Sequence, residues 1–522
     1  MAARVRAGEP LPPEVKRIAV VVVIGAIMSI LDTTTVNVAL QTLSEDLDAK
    51  LSTIQWVSTG YLLALATVIP LTGWLAERVG PKRVWMASVA AFITASALCG
   101  VAWSAQSLIA FRVLEGAAGG MIMPIGMITI AQAAGPERLG RLMSVVGVPM
   151  LLAPVFGPVL GGFLVENLSW RWIFFVNVPV GAIGLLLAFR LMPSMPARGR
   201  AAEAGHETPP LDVPGLLLLP PGVAAIVFGL SEIGVHHSAS TPTAWVPIAL
   251  GVLAVAAFAV HGWRAAHPLV DVRLFAGRGF SAAAMTTFLL GAALFGAMIL
   301  LPLYFQVVRG DTALQAGLLM APQGLGAAVA MNVAGRATDV FGGGRVVPIG
   351  LAILTLGTIP FAFIGPDTGY VWLMAALFVR GMGLGAAMMP AMAAAYATLR
   401  SAQVPRATPA LNVLQRVGGS MGVAVLAVVL DRSLRSNLES AMGGAAGGGT
   451  SDLRAAGALP DALREQLGGP MADAFAHAYL WSLVGVAIAL LPALWLMYEE
   501  RKARRSGRGE GEADTRVPMT AG

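Results

Sequence analysis

Three charged residues lie inside stretches that are otherwise apolar. Asp32 stands in LDTTTVNVAL, directly after IAVVVVIGAIMSI, and Arg112 and Glu115 stand in FRVLEGAAGG. An ionised side chain at the centre of a membrane costs roughly 2.5 to 3.5 kcal/mol on insertion scales, so such residues usually face a partner or an aqueous cavity. Burial also disfavours the charged form of a carboxyl, which favours proton uptake near neutral pH. These residues therefore indicate proton exchange or cation recognition within a membrane.

The composition is that of a polytopic membrane protein. Of 522 residues, 56% are hydrophobic and 12% charged, and the mean hydropathy is +0.73. Soluble domains carry about 25% charged residues. A spanning helix needs roughly 20 mostly apolar residues, and windows of this kind predict fourteen membrane helices. The expected fold class is therefore an all-α integral membrane protein.

An even number of spans places both termini on one side of the membrane. Most Lys and Arg residues fall on that side, which predicts cytoplasmic termini. The net charge of +6 follows from this bias and from the basic tail, so we expect no nucleic-acid partner. The Ala, Gly and Arg-rich composition favours a bacterial source, and hence the cytoplasmic (inner) membrane of a bacterium. The single cysteine, Cys99, excludes an internal disulfide.

The predicted organisation has four parts. Residues 1–192 form an N-terminal six-helix bundle, and residues 193–275 form a cytoplasmic linker followed by two extra helices. Residues 276–500 form a second six-helix bundle, and residues 501–522 form a basic cytoplasmic tail. Residues 433–472 are expected to form an outer loop between spans 13 and 14, in which LPDALREQL could form a short surface helix.

An internal repeat relates the two bundles. GWLAERVGPKR (73–83) and GRATDVFGGGR (335–345) share Gly at positions one and eight, an acid at five and Arg at eleven. Each copy follows the second span of its bundle, which is typical of transporters whose halves rock around a central site. The predicted conformational switch comprises Gly73, Glu77, Arg78, Gly80, Lys82, Arg83, Asp339, Gly342 and Arg345.

Each charged group also has a simpler interpretation. Asp32 could only orient helix 1, with Thr35 offering a hydroxyl one turn away and Asn37 an amide. Arg112 and Glu115 share a helix face and could be a self-neutralising pair, or Glu115 could be a second protonation site. The charges after span 2 could latch one conformation through salt bridges, or could only enforce topology.

Helix 5 and two aromatic residues complete the candidate site. The stretch APVFGPVLGG combines helix-bending prolines with glycines that allow close helix contact. Trp56 and Tyr61 are either interface anchors or cavity residues that could hold a cation. The candidates in helix 5 are Pro154, Gly157, Pro158, Gly161 and Gly162.

Motifs of soluble enzymes are nearly absent from the sequence. There is no GxxxxGK[ST] phosphate loop and no His or Cys cluster at metal-ligand spacing. GGSMG (418–422) fits G-x-S-x-G, but that motif needs a strand-to-helix turn and here lies in an apolar helix. We therefore expect neither an enzyme nor a metal site.

Six motifs, in order along the chain, resemble one known family. They are LDTTTVNVAL, QWVSTGYLLALA, GWLAERVGPKR, RVLEGAAGG, GPVLGG and WRWIFFVNVPVG. Together they resemble the fourteen-helix drug:proton antiporters of the major facilitator superfamily. The resemblance is strong from residue 17 to about 190, and in the second half it is supported by the repeat and the helix count. It implies a major facilitator fold of two six-helix bundles plus two extra helices.

The resemblance also assigns roles residue by residue. It implies that Asp32 is the acid of the helix-1 motif, that Arg112 is the arginine of the helix-4 motif, and that the helix-5 glycines form the antiporter motif. Three positions depart from the family pattern: Gln41 replaces a proline, Glu77 an aspartate and Glu115 a glutamine. Glu115 therefore leaves the number of exchanged protons open.

The predicted function is proton-coupled export of hydrophobic or cationic drugs, or of a natural product, by alternating access. The expected partners are a small amphipathic, cationic substrate, protons and membrane lipids, and the expected state is a monomer. No cofactor is expected, because a proton gradient supplies the energy. The alternatives are a facilitator carrier for a lipid or metabolite and, in another class, a membrane sensor that transports nothing.

Overall fold

The computed structural model describes residues 12–134, 139–193, 210–236, 241–400, 403–441 and 461–505. The predicted linker and basic tail lie almost entirely outside these ranges. Every regular element within them is helical, as expected for a chain in which backbone polar groups must be satisfied inside a membrane.

The first bundle contains six long helical segments, α1 to α6. Two of them are interrupted: α2 passes through a 3-10 turn at Ile69–Leu71, and α6 has a short break after Phe175. The bounds are α1 Pro13–Asp46, α2 Leu51–Val68 and Thr72–Val79, α3 Pro81–Gly100, α4 Ala105–Ala134, α5 Leu139–Asn167, and α6 Trp172–Phe175 and Asn177–Leu191.

The insert and the second bundle supply the other eight helices. The insert is the pair α7 (Val213–His236) and α8 (Pro242–Arg264), and a 3-10 turn at Val272–Ala276 leads into the second bundle. The second bundle comprises α9 Arg278–Leu303, α10 Ala313–Phe341, α11 Gly343–Thr358, α12 Tyr370–Ala397, α13 Val404–Ala441 and α14 Asp461–Arg505.

The predicted all-α membrane fold is confirmed. Thirteen helices in the described ranges are long and apolar enough to cross a membrane. The remaining long helix, α5, has 29 residues, which is also sufficient to span a bilayer. The structure thus accommodates the predicted fourteen helices.

The prediction of an outer loop at 433–472 was wrong at both ends, where the chain is helical, and residues 442–460 lie outside the described structure. Helix α13 continues to Ala441 and α14 begins at Asp461. DRSLRSNLESAM contains no helix breaker before the glycine run, so the helix continues past the apolar segment. The residues from Asp461 onward start α14 itself, because the proline before them is compatible with a helix start.

The repeat predicted from sequence has the same backbone geometry in both copies. Gly80 and Gly342 have φ values of 96° and 86°, and each immediately precedes the third helix of its bundle. Both lie at the face where α1 begins and α14 ends, which we call the terminal face; the opposite end is the far face. Only glycine adopts this backbone conformation readily, which explains its presence in both copies.

Asp212 connects the start of α7 to the end of α8 and to the segment that follows it. Its carboxylate accepts hydrogen bonds from the N–H groups of Gly215 and Leu269, both at 2.9 Å, and lies 2.7 Å from His261 Nε2. Burial opposes ionisation, but these hydrogen bonds outweigh it and lower the pKa of Asp212 below its ordinary value. Helix α7 then packs against both α2 and α13, so the insert covers the groove between the two bundles.

The substitution Gly80→Ala tests the turn geometry. An alanine there must adopt a backbone conformation that costs about 1 to 3 kcal/mol, so we expect a lower apparent melting temperature in detergent. Gly485→Ala is the matched control, since Gly485 is helical and nothing lies within 4 Å of an added Cβ. Equal melting temperatures for the two variants would contradict the interpretation.

Candidate functional site

A buried arginine joins the two intramembrane acids of the first bundle. Arg112 Nη1 lies 2.7 Å from Asp32 Oδ2 and 2.8 Å from Glu115 Oε2. All three side chains are at most 1% exposed. The contact between Arg112 and Glu115 is the one that their i, i+3 spacing favours. The third member, Asp32, comes from α1, and only the tertiary structure brings it to Arg112.

Helix α2 fixes the orientation of this guanidinium. Arg112 Nε donates to the carbonyl oxygen of Val57 at 3.2 Å, and its guanidinium carbon lies 4.1 Å from the centre of the Tyr61 ring. Tyr61 is fully buried, and its hydroxyl lies 3.4 Å from Ser29 Oγ. Tyr61 therefore packs against Arg112 rather than facing a cavity as a free aromatic surface.

Asn177 binds the Asp32 carboxylate and is itself bonded to Ser96, and sequence reasoning missed both residues. Asn177 Nδ2 on α6 donates to Asp32 Oδ1 at 3.1 Å and to Ser96 Oγ at 3.1 Å. The Ser96 hydroxyl donates to the Phe174 carbonyl oxygen at 3.0 Å. A polar residue in an otherwise apolar span was the available signal, and it applies to both residues.

The charges of this buried cluster do not balance when both acids are ionised. One guanidinium faces the carboxylates of Asp32 and Glu115, and the neutral thiol of Cys99 lies 3.4 Å from Glu115 Oε2. Taking uncompensated charge out of water is costly. One proton on either carboxyl makes the cluster neutral, so the site is suited to hold one exchangeable proton.

The other candidates near α1 lie elsewhere. The Thr35 hydroxyl donates to the backbone carbonyl oxygens of Leu31 at 2.9 Å and Asp32 at 3.2 Å, and not to the Asp32 carboxylate. Asn37 is exposed and accepts a hydrogen bond from Ser58 at 3.0 Å. Trp56 is 44% exposed and stacks on Phe228 of the insert, with ring centres 5.8 Å apart.

At the terminal face, each acid of the repeat pairs with an arginine of the opposite bundle. Arg406 binds Glu77 in a bidentate manner, with Nε 3.1 Å from Oε1 and Nη2 3.3 Å from Oε2. Arg141 Nε lies 3.5 Å from Asp339 Oδ2, and the Arg141 N–H donates to Oδ1 at 3.3 Å. Both arginines lie near the start of the fifth helix of their bundle. The structure thus shows two pseudo-symmetric ion pairs that connect the halves.

The first glycine of each repeat copy allows this approach. A Cβ added at Gly73 would overlap the Pro405 carbonyl oxygen, and one at Gly335 would overlap Ser144 Oγ. Glycine is therefore required at both positions by contact between the bundles. Arg406 and Arg141 were missed from sequence because the partner of each acid lies in the other half.

The other charged residues of the predicted switch make different contacts. Lys82 Nζ donates to the carbonyl oxygens of Phe189 and Met192 at the end of α6, at 2.9 and 2.6 Å. The guanidinium of Arg78 lies 5.2 Å from the Trp74 ring centre. Arg83 and Arg345 are exposed. The salt bridge of the switch is thus formed between the two halves rather than within the loop.

Two glycines of the predicted helix-5 motif lie against helix α1, and a third does not. A Cβ added at Gly157 would overlap Thr34 Oγ1, and one at Gly161 would lie 2.9 Å from the Thr35 carbonyl oxygen. Nothing lies within 4 Å of a Cβ added at Gly162. The side chains of Pro154 and Pro158 lie outside the described part of the structure. Gly157 and Gly161 therefore provide the close contact of α5 with α1.

Comparison with known proteins identifies the family. A model described as Major Facilitator Superfamily matches residues 22–423. The chain belongs to the major facilitator superfamily. Among curated relatives of this facilitator, the Multidrug resistance protein B homolog of Mycobacterium tuberculosis is 38% identical over 521 residues, with 97% of this chain and 95% of the relative covered. The Methylenomycin A resistance protein of Streptomyces coelicolor is 32% identical, with 78% and 84% covered.

Solved structures agree with this fold. The human organic anion transporter MFSD10 (TETRAN) superposes with a TM-score of 0.59 at 17% identity, covering 93% of this facilitator and 100% of that chain. The proton:xylose symporter XylE superposes with a TM-score of 0.58 at 13% identity, covering 93% and 95%. Family and fold confirm that this facilitator is a membrane transporter rather than an enzyme.

Substitutions in α5 test the helix contact. Gly157→Ala places a methyl group on Thr34, and overpacking of this kind costs about 1 to 3 kcal/mol. We expect a lower melting temperature and a loss of transport activity. Gly162→Ala adds the same methyl group where there is space and should change neither. Two variants with the same melting temperature and activity would argue against the contact.

Substitutions at the terminal face test the ion pairs. Glu77→Ala and Arg406→Ala remove one link, so we expect the far side to close more often. A cysteine replacing the exposed Asn37 should then react several-fold more slowly with a maleimide, over a low background because Cys99 is buried. Combining Glu77→Arg with Arg406→Glu should restore the native labelling rate, and Arg345→Ala serves as control. Native labelling rates in both single variants would rule the role out.

Proposed function

We propose that this facilitator is a proton-coupled antiporter that exports small amphipathic molecules, such as drugs or a natural product, from a bacterium. The observation that carries the proposal is the buried Arg112 cluster, which has one carboxylate more than its guanidinium neutralises. The names of the relatives, with their multidrug and methylenomycin resistance, support efflux as the direction. Both termini are cytoplasmic in this proposal and the membrane is the inner membrane, as the positive-inside bias predicts.

Protonation would act on helix packing through Arg112. A proton on Asp32 or Glu115 weakens one of the two charge-assisted bonds from Nη1 and so loosens the link between α1 and α4. Helix α1 contacts α5 at Gly157 and Gly161, and α5 packs along α10 of the other bundle. A change at the acids is thereby passed to the interface between the halves.

The ion pairs at the terminal face define the state that protonation must shift. Glu77–Arg406 and Asp339–Arg141 join the bundles there, and α2 contacts α13 through Ile69–Leu71 and Thr72–Val79. With cytoplasmic termini, this arrangement is outward-facing. A ligand shifts conformers only by its differential affinity for them, so the proton and the exported molecule must favour opposite states.

The energy source and the cargo follow from the same site. One charge moved across 100 mV is worth about 2.3 kcal/mol, so a proton gradient suffices and no cofactor is needed. A cationic cargo was predicted because Asp32 could attract it, but Asp32 is buried and bound by Arg112 and Asn177. We therefore propose an amphipathic cargo whose charge is recognised outside this cluster. Each chain contains both halves, so a monomer is sufficient.

Flux through proteoliposomes tests the proposal. With an imposed pH gradient, the native protein should move ethidium and the zwitterionic norfloxacin in one direction and protons in the other. Asp32→Asn removes the titratable carboxyl, and we expect gradient-driven flux to fall by about tenfold or more because coupling needs an ionisable group at the site. Glu115→Gln shows whether the second acid shares the proton.

The matched control is Asp431→Asn, because Asp431 is also buried in a membrane helix but pairs with Arg435 at 3.0 Å near the far face. Its flux should remain close to native. If Asp32→Asn and Glu115→Gln, singly and together, keep native flux, the coupling role is wrong. If the native protein moves neither dye nor norfloxacin, a lipid or metabolite cargo or a sensor replaces drug export.

A further inference from the structure

The second bundle contains a buried arginine without an acidic partner. Arg380 on α12 is 3% exposed, and its Nη1 donates to the amide oxygen of Gln323 on α10 at 2.6 Å. No carboxylate of the described residues pairs with it, and its Nε has no hydrogen-bond partner there. The positive charge of Arg380 is therefore met only by a neutral amide.

Two further buried donors lie one helical turn apart on α14, and the first of them is near this arginine. Tyr479 is fully buried and within electrostatic range of Arg380, and its hydroxyl has no hydrogen-bond partner in the described structure. Ser482 follows one helical turn later, is 4% exposed, and its hydroxyl is also without a partner there. Side-chain oxygens in helices commonly bond to the carbonyl of the preceding turn, and Ser482 does not.

Unpaired donors of this kind are rare inside proteins. Buried polar groups almost always have a partner, and an exception calls for an explanation such as an ion or ligand. Removing the partner of a buried charge is strongly destabilising. Arginine nitrogens donate only, and the two hydroxyls offer donors as well. The partner that satisfies all three groups is an acceptor with negative charge.

The corresponding arginine of the first bundle has the acidic partners that Arg380 lacks. Arg112 and Arg380 both lie on the fourth helix of their bundle, but only Arg112 is met by two carboxylates. Helix α9, the counterpart of α1, carries no acidic residue between Arg278 and Arg309, and α12 carries none at all. Within the described residues the second bundle therefore contains a buried guanidinium that no carboxylate pairs with, and a negative group from outside the chain can take that place.

A second arginine of this bundle also lies in a membrane-spanning helix. The side chain of Arg416 on α13 is exposed although it lies within the membrane-spanning part. Between Arg406 and Asp431, α13 contains no acid. Gln323 is only half-buried, and its neutral amide is an acceptor that an anion can replace.

We propose that Arg380, Tyr479 and Ser482 form an anion-binding site that takes a carboxylate-like group of the transported molecule. The assignment of the anion to the cargo rests on the proposed function. The site itself rests only on the unpaired donors. The cargo class is then an amphipathic molecule with an anionic group, rather than one recognised by positive charge alone.

Ligand-induced stabilisation of the purified protein tests the site. The melting temperature in chloride-free buffer is measured against 1-naphthaleneacetate, the uncharged 1-naphthaleneacetamide and sodium chloride, because a ligand that binds the folded state raises it. We expect the acetate to stabilise the protein and the amide not to. Arg380→Gln should weaken binding by about tenfold or more, because a charge-assisted bond is lost.

Two further variants make the result specific. Tyr479→Phe removes only a hydroxyl and should weaken the binding of the acetate several-fold, which tests the site even if Arg380→Gln folds poorly. Arg345→Gln removes an exposed arginine at the terminal face and should leave binding unchanged.

Each outcome separates this proposal from the proposed function. Equal, Arg380-dependent stabilisation by chloride and acetate would support the site but assign it to a free anion, which overturns the cargo assignment. If neither anion binds in an Arg380-dependent way, there is no anion site. Drug export without anion binding removes this inference alone, whereas anion binding without export removes the antiporter proposal and leaves the site.

Discussion

The buried contact of Arg112 with Asp32 and Glu115 is the interaction on which the first bundle is organised. It joins α1 to α4, and its neighbours Val57 and Asn177 add α2 and α6. Because these charges have no access to water, they depend on each other for compensation. Any change in their protonation must therefore change how the helices are held together. In the proposed mechanism, this dependence links the gain of a proton to the position of α1.

The terminal face shows how the two bundles use the repeat. Each copy supplies an acid, a glycine of positive φ and a glycine of close contact, and each acid reaches the fifth helix of the other bundle. A pair at the surface of a protein usually contributes little to stability. Here, however, both pairs join bodies that must separate in the opposite state, so even a small energy biases the balance between conformations.

The bundles differ most in their intramembrane charge. The first holds two acids and one arginine around Arg112, whereas the middle of the second holds Arg380 and Arg416 and no acid. The proposed division of labour follows from this difference: the first bundle exchanges the proton, and the second recognises an anionic group of the cargo. The separation allows proton and cargo to act on different bundles, and the interface between α5 and α10 then couples their effects.

The sequence by itself determined the class of protein and most of its elements. Apolar windows long enough to span a membrane predicted the helices, because a single segment inside a membrane can satisfy its backbone hydrogen bonds only as a helix. The repeat identified Gly80 and Gly342, because their backbone conformation needs glycine. The sequence also placed Arg112 beside Glu115, since their pairing depends only on helical spacing. The outer-loop prediction failed at the two ends of 433–472 because hydropathy marks only the apolar part of a helix. Polar residues can continue the helix beyond that part.

Only the tertiary structure decided which residues meet across helices. Asp32, Asn177 and Arg112 lie on three different helices, and Glu77 reaches Arg406 only because the bundles close at the terminal face. Spacing along one chain carries no information on such contacts, because they depend on how whole helices pack. The same limit applies to Arg380: the sequence shows an arginine in an apolar span, but its unpaired state and its proximity to Tyr479 follow from the packing of α12 against its neighbours.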